Sequence, residues 1–294
     1  MSDYLSNKNY VSRSGLMDLN RCPEYFYHRH LSGINEESST KAMKFGSALH
    51  TYVLEPEQFR DRYVVLENKF DKRTKKGKED YEKFVEEAGD RIVLDLYEYE
   101  DILSISNKIK AHDTACLLLG GAVCEKELYW VDEETGVKCK CKPDAINRTV
   151  VADLKTANDI SLRGIRNSIF SYGYALQAAM IREGMRANNL GEMSSFWLIV
   201  AEKTAPFSIA TYKLGEDFLE CFMIVVLFLL NFFLFFLNFS FLLFGIFDFE
   251  RQRLCLNQLS NLMASKKIVS SGEKFTPTID FFCKISLKSW GSLH

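Results

Sequence analysis

Within the thirteen residues PDAINRTVVADLK, Pro143 to Lys155, two carboxylates and an ammonium stand close together in sequence: Asp144, Asp153 and Lys155. An Asp-x-Lys by itself is common and is most often a solvated strand end, and Pro-Asp is ordinary turn chemistry. Brought together, however, such groups are expensive to bury without compensation. A hard divalent cation with oxygen ligands is the natural compensator.

The elements that would bring them together are strands. Val137–Cys141 and Thr149–Ala152 are runs of β-formers on either side of a polar connection at Asn147 and Arg148, a hairpin pattern. In the obvious register Asp144 and Asp153 meet near one end of the sheet. Lys155 shares a face with Asp153 because side chains two apart on a strand point the same way. Upstream, Glu127, Tyr129 and Val131 alternate with Leu128 and Trp130 in a strand, Glu133–Gly136 makes a turn, and Val137–Asp144 returns. Ser12 or Ser14 caps a first helix through Leu16 and Leu19. A second helix carries Phe45, Leu49, Tyr52 and Val53 together with His50, and the span from Glu79 to Ala115 is predicted helical throughout. Ser161 to Arg186 is predicted as one long helix on which Tyr174 and Gln177, three apart, are neighbours. Phe196–Val200 and Ser208–Lys213 are two further strands. The order of helices, a three-stranded meander, a helix and then strands predicts an α/β chain with a mixed central sheet flanked by helices.

Seven segments stand in an order that resembles one group of proteins: SRSGLMDLNRCPEYFYHR from Ser12, KFGSALHTYVLEPEQF from Lys44, FDKRTKKGK from Phe70, EKELYW from Glu125, CKPDAI from Cys141, ADLKTA from Ala152 and YGYALQAAMI from Tyr172. Together they resemble the PD-(D/E)XK nuclease superfamily and, within it, the RecE-type exodeoxyribonucleases of phages and prophages. The resemblance covers roughly residues 10 to 214. It implies an α/β restriction-endonuclease-like core with an N-terminal helical layer. It also implies Mg²⁺, with Mn²⁺ as a substitute, held by Asp144, Asp153, the backbone of Leu154, His50 from the Gly46-to-His50 motif, and an acid in the upstream strand, Glu127. Lys155 is then the catalytic lysine, and Tyr174 and Gln177, as Tyr-x-x-Gln, orient the lysine or the nucleic-acid strand. The implied activity is degradation of double-stranded DNA ends for recombination or repair. A single-strand annealing recombinase and other copies of the chain are the implied partners. The alternatives are a catalytically inactive DNA-binding module of the same fold and a membrane-anchored protein with a nuclease-like domain.

A formal net charge of −2 and a pI near 6.3 exclude a global basic field, so nucleic-acid contacts must come from local patches. The densest is KFDKRTKKGK, where six of ten residues are basic; Lys72, Arg73, Lys75, Lys76 and Lys78 are the phosphate-binding candidates. The eight cysteines follow no CxxC spacing, and the polar first 30 residues do not read as a signal peptide, so reduced thiols in the cytoplasm are expected. Some members of the wider superfamily that the chain resembles carry an iron–sulfur cluster on one upstream and three closely spaced downstream cysteines; Cys22 has no such downstream triplet, so no cluster is expected. At 294 residues with 47 % hydrophobic composition the chain can fill a sizeable core. The nuclease domain is expected over 1–214. The remainder, 215–294, contains 27 residues without a charge, Cys221 to Phe247, long enough to span a bilayer. This block predicts either membrane association or an insertion, or a shift of reading frame, in a soluble domain.

Overall fold

The computed structural model describes residues 4, 7–32, 40–67, 70–71, 73–216, 219, 226 and 229–233. It divides into two compact units, one formed by 1–35, 131–139 and 223–294 and the other by 36–130 and 140–222.

The larger unit is built on a five-stranded sheet. In chain order its elements are α3 (Lys41–Leu54), α4 (Pro56–Arg62), β1 (Tyr63–Leu66), α5 (Lys75–Ala88), β2 (Ile92–Asp95), α6 (Leu96–Ala111), α7 (Asp113–Leu119), β3 (Val123–Cys124), β6 (Ala145–Asn147), β7 (Val150–Ala157), α8 (Leu162–Ser171), α9 (Tyr174–Ala187), β8 (Ser195–Glu202) and β9 (Ile209–Lys213). Strands β4 (Leu128–Val131) and β5 (Lys138–Cys141) pair with each other apart from that sheet, and β1 and β2 make a separate parallel pair. The main sheet runs β3-β6-β7-β8-β9, antiparallel except for the central β7–β8 pair. A mixed sheet follows because α8 and α9 carry the chain back between β7 and β8. Alternation along the strands sends Ala145, Ala152, Leu154, Ile199 and Ala201 to one face, where they form a core with Leu49 of α3, Ile102, Ile105 and Ile109 of α6 and Leu118 of α7. Asp153 and Lys155, out of phase with that set, fall on the opposite face.

The structure corrects three sequence expectations. The span 79–115 is not one helix. Gly89 closes α5 at φ 58°, the β-forming Ile92, Val93 and Leu94 make β2, and Asp95 then opens α6 through a capping box with Glu98, accepting its N–H at 2.8 Å. The span 161–186 is two helices, because Gly173 at φ 63° turns the chain and leaves Tyr174 in the first turn of α9. Val137–Asp144 is not one strand either. The chain leaves β5 at Lys142 and Pro143, and the partner of β7 is β6, with the turn at Arg148, φ 56°.

In the smaller unit Ser12 caps α1 (Arg13–Arg21), α2 (Pro23–Phe26) comes next, and Tyr27–Leu31 forms one π-helical turn. Buried Asp18 holds Arg29 at 3.1 Å and His30 at 2.8 Å. The 27-residue apolar block lies mostly outside the described residues. Among those described, Val226, Leu229, Leu230 and Phe233 have the spacing of one helical face and are buried, with Phe233 edge-on to Phe26 at 5.4 Å. Among the described residues no helix is long and apolar enough to cross a membrane.

Candidate active site

The site forms where β6 stops. Its ladder with β7 ends at the pair Ala145–Ala152, because Pro143 has no N–H to continue it. The next backbone donor of β7 on that side, Leu154 N–H, is taken instead by the carboxylate of Asp144, at 2.7 Å. The end of a strand thus replaces a ladder bond with a buried acid. His50 reaches the same point from α3, its Nδ1 3.4 Å from Oδ2 of Asp144. Gly46, one turn before His50, faces Thr156, the next residue on the Leu154 side of β7. The Gly-x-x-x-His spacing therefore lays α3 against β7 with the imidazole at the open strand edge.

Glu125 completes the group. It follows β3 with a left-handed backbone, φ 53°, and donates its N–H to the carbonyl oxygen of Asp144 at 3.0 Å. One donor atom each from His50, Glu125 and Asp144 lie within 4.8 Å of one another. On the opposite face of β7, Asp153 is fully buried. Oδ1 accepts from Nε2 of Gln177 at 2.7 Å and Oδ2 lies 2.6 Å from Nζ of Lys155. That ammonium also stands 5.1 Å above the ring of Tyr174, which stacks on the exposed ring of Tyr172.

Burial, and after it the charge of Asp153, holds the carboxyl of Asp144 well above the usual carboxylate range. Burial, and after it the charge of Lys155, lowers the pKa of His50, so its imidazole is neutral at pH 7. Neutral imidazole is the form that ligates metals.

Of the residues singled out in the sequence, His50, Asp144, Asp153, Leu154, Lys155, Tyr174 and Gln177 converge on this site. Glu127 does not stand with His50 and Asp144; it accepts the Tyr129 hydroxyl at 2.9 Å. Glu125 occupies the position expected of it. The signal for Glu125 was present, since it heads the EKELYW segment, but an alternating-strand reading favours Glu127 because it cannot foresee a left-handed residue before β4. Lys72 lies outside the described residues. Arg73 is exposed ahead of α5, and Lys75, Lys76 and Lys78 lie in its first turn behind the Thr74 cap, partly matched by Asp71 at 3.2 Å and Glu79 at 3.8 Å.

The donor chemistry fits a small divalent ion: two carboxylates, one neutral imidazole and a strand backbone. Hard oxygen ligands suit Mg²⁺ and Mn²⁺, and the imidazole favours the softer of the two.

Fold and site together define an α/β domain of the restriction-endonuclease-like, PD-(D/E)XK kind. The chain belongs to the family described as PDDEXK-like domain of unknown function (DUF3799), whose family model matches residues 12–230. Among solved structures it is similar to a Eubacterium rectale protein provisionally described as an exonuclease, with 17% sequence identity, 92% of each chain covered and a TM-score of 0.54. At that identity the likeness speaks for the fold. The crystal structure of a protein designated SSO0001 aligns at 16% identity over 74% of this chain and 86% of its own, but its TM-score of 0.26 carries no argument. No curated protein matches the chain. The superfamily is that expected from the sequence, and it supports a nuclease.

Proposed function

We propose that the chain is a divalent-metal-dependent deoxyribonuclease that degrades double-stranded DNA from its ends, of the RecE type that the sequence segments resemble. One observation carries the reading: a lysine held by a buried aspartate stands next to a three-donor group at the open end of β6. A module that only binds DNA has no need of two buried acids that repel each other. The description of the Eubacterium rectale protein as an exonuclease supports the finer assignment.

His50, Glu125 and Asp144 would hold the ion, with the backbone of Leu154 beside them. When bound, a divalent ion supplies Lewis-acid stabilisation of phosphoryl charge and makes water easier to deprotonate. Lys155, fixed by Asp153 and by the face of Tyr174, presents an ammonium to the charge that builds on the phosphoryl oxygens and can hydrogen-bond and orient the attacking water. Gln177 locks Asp153 and so sets where that lysine points. Arg73, Lys75, Lys76 and Lys78 supply sequence-independent phosphate contacts. Action beside a single-strand annealing recombinase, and assembly into oligomers, belong to the same proposal.

The test is nucleotide release from end-labelled linear duplex with Mg²⁺, Mn²⁺ or EDTA, beside Lys155→Ala. Metal-dependent release should fall by about 10²–10⁴-fold in the variant while duplex binding persists. Equal rates in the two proteins would refute the assignment, as would undiminished release in EDTA.

A further inference from the structure

The site holds a second lysine that the proposed mechanism leaves unused. Lys142, just before Pro143 and Asp144, places its Nζ 2.6 Å from Oε2 of Glu125, and both side chains are largely buried, at 21% and 17% exposure. The pair is not a surface accident of long side chains. Glu125 is held in its left-handed conformation by its N–H bond to Asp144, so the carboxylate that Lys142 meets is fixed by the same residue that would ligate the ion.

Charge balance limits how many ions the site can take. With Asp144 ionised, as a metal ligand must be, three carboxylates, Glu125, Asp144 and Asp153, face two ammoniums, Lys142 and Lys155, and each ammonium lies on its own acid at 2.6 Å. The imidazole adds nothing while neutral. The cluster therefore carries one net negative charge. One divalent ion overshoots it by a single charge, and two ions overshoot it by three. In a partly buried site an excess of that size is strongly unfavourable, because screening is weak there. Two-metal phosphodiesterases hold their ions about 3.5–4 Å apart and use carboxylate oxygens on both. Here the oxygens that a second ion would need face cations or a donor: Oε2 of Glu125 pairs with Lys142, Oδ2 of Asp153 pairs with Lys155 without a hydrogen bond, and Oδ1 of Asp153 accepts from Gln177.

We infer that Lys142 stands in for a second metal ion, so that the site takes one divalent cation and uses this ammonium as the other positive charge. The inference rests on the metal-dependent reading of the site, and concerns how many ions it holds. Lys142 acts through Glu125: it fixes that carboxylate by pairing with its Oε2.

The test counts ions, not turnover. Metal-free full-length protein is titrated with Mn²⁺ by equilibrium dialysis, and electron paramagnetic resonance is recorded on the bound fraction. Expected are one Mn²⁺ per chain with an isolated-ion spectrum in the parental protein, and two with a spin-coupled spectrum in Lys142→Met. Lys142→Arg, which keeps the cation, should stay at one. Two ions in the parental protein overturn the inference without any variant. One ion in a folded Lys142→Met overturns it as well. If that variant fails to fold by circular dichroism, Lys142→Ala, which removes the cation and frees Oε2 of Glu125, replaces it under the same criterion. No bound Mn²⁺ in folded parental protein sinks the metal-dependent reading itself and the inference with it, an outcome distinct from a count of two.

Discussion

Replacing Asp144 with asparagine should make the metal-free protein more stable while removing its response to metal. Asp144 is 8% exposed, and its carboxyl is pushed up by burial and by the charge of Asp153, so the ionised form is a liability to the fold. The folded-state pKa lies above the unfolded one. The folded state therefore binds the proton more tightly, and stability increases as pH falls through the folded value toward the unfolded value, about 3.9. Asparagine removes the charge at every pH. Burying the ionised carboxylate, the larger cause, costs roughly 3 kcal/mol, and the charge of Asp153 adds to it. The ammonium of Lys155 offsets part of the repulsion from Asp153. The amide oxygen still accepts from Leu154 N–H, but without charge the bond weakens by about 1 kcal/mol. The net gain is about 2 kcal/mol, which for a domain of this size raises Tm by roughly 4–8 °C. The assay is thermal unfolding in EDTA at pH 7.5, then with Mn²⁺. The parental protein should melt lower than the variant in EDTA and rise with metal, and the stability it gains from Asp144 as pH falls should be missing from Asp144→Asn, which should not respond to metal. An asparagine variant that melts below the parental protein in EDTA would refute the reasoning, because Asp144 would then be a paired structural acid.

Glu125→Gln should weaken Mn²⁺ binding at least tenfold by calorimetry, whereas Glu127→Gln, which alters only the hydrogen bond to the Tyr129 hydroxyl, should leave it within a factor of two. Replacing Lys75, Lys76 and Lys78 with glutamine should flatten the plot of log affinity for duplex DNA against log salt by about 0.9 for each phosphate no longer neutralised, with no change in melting. A Cβ at Gly77 would sit 2.1 Å from the carbonyl oxygen of Asp71. Gly77→Ala should therefore displace the 70–74 loop at about 1–3 kcal/mol and speed tryptic cleavage after Arg73. Burial pushes the Cys139 thiol up to about 12, so in native protein at pH 8 iodoacetamide should label exposed Cys116 and spare Cys139, as peptide mass mapping would show.

The strand that carries Asp153 and Lys155 was legible because alternation is a local property: β-formers in period two fix which side chains share a face without knowledge of the partner. The partner was not legible. β6 is three residues long, and only Pro143 hints that the chain changes sheets between Cys141 and Ala145. The helical spans were read too long for a related reason. Helix and strand compete closely in Ile92–Leu94, and the breaks depend on Gly89 and Gly173 taking positive φ, which tertiary closure decides. His50 was legible only through resemblance. Periodicity places it on α3, but nothing local says that α3 lies along the open edge of β7.

The parallel pairing of β7 with β8 has a consequence for how the protein comes into being. β7 carries Asp153 and Lys155, yet its neighbour is laid down only after α8 and α9 have been made, with Val150–Ala157 in register against the distant Ser195–Glu202. Long-range parallel pairing forms late, since loop closure precedes its reward. A chain still emerging from the ribosome thus carries the acids and the lysine without the scaffold that aims them. Any nucleic-acid cleavage by this site is postponed until β8 has been synthesised and docked.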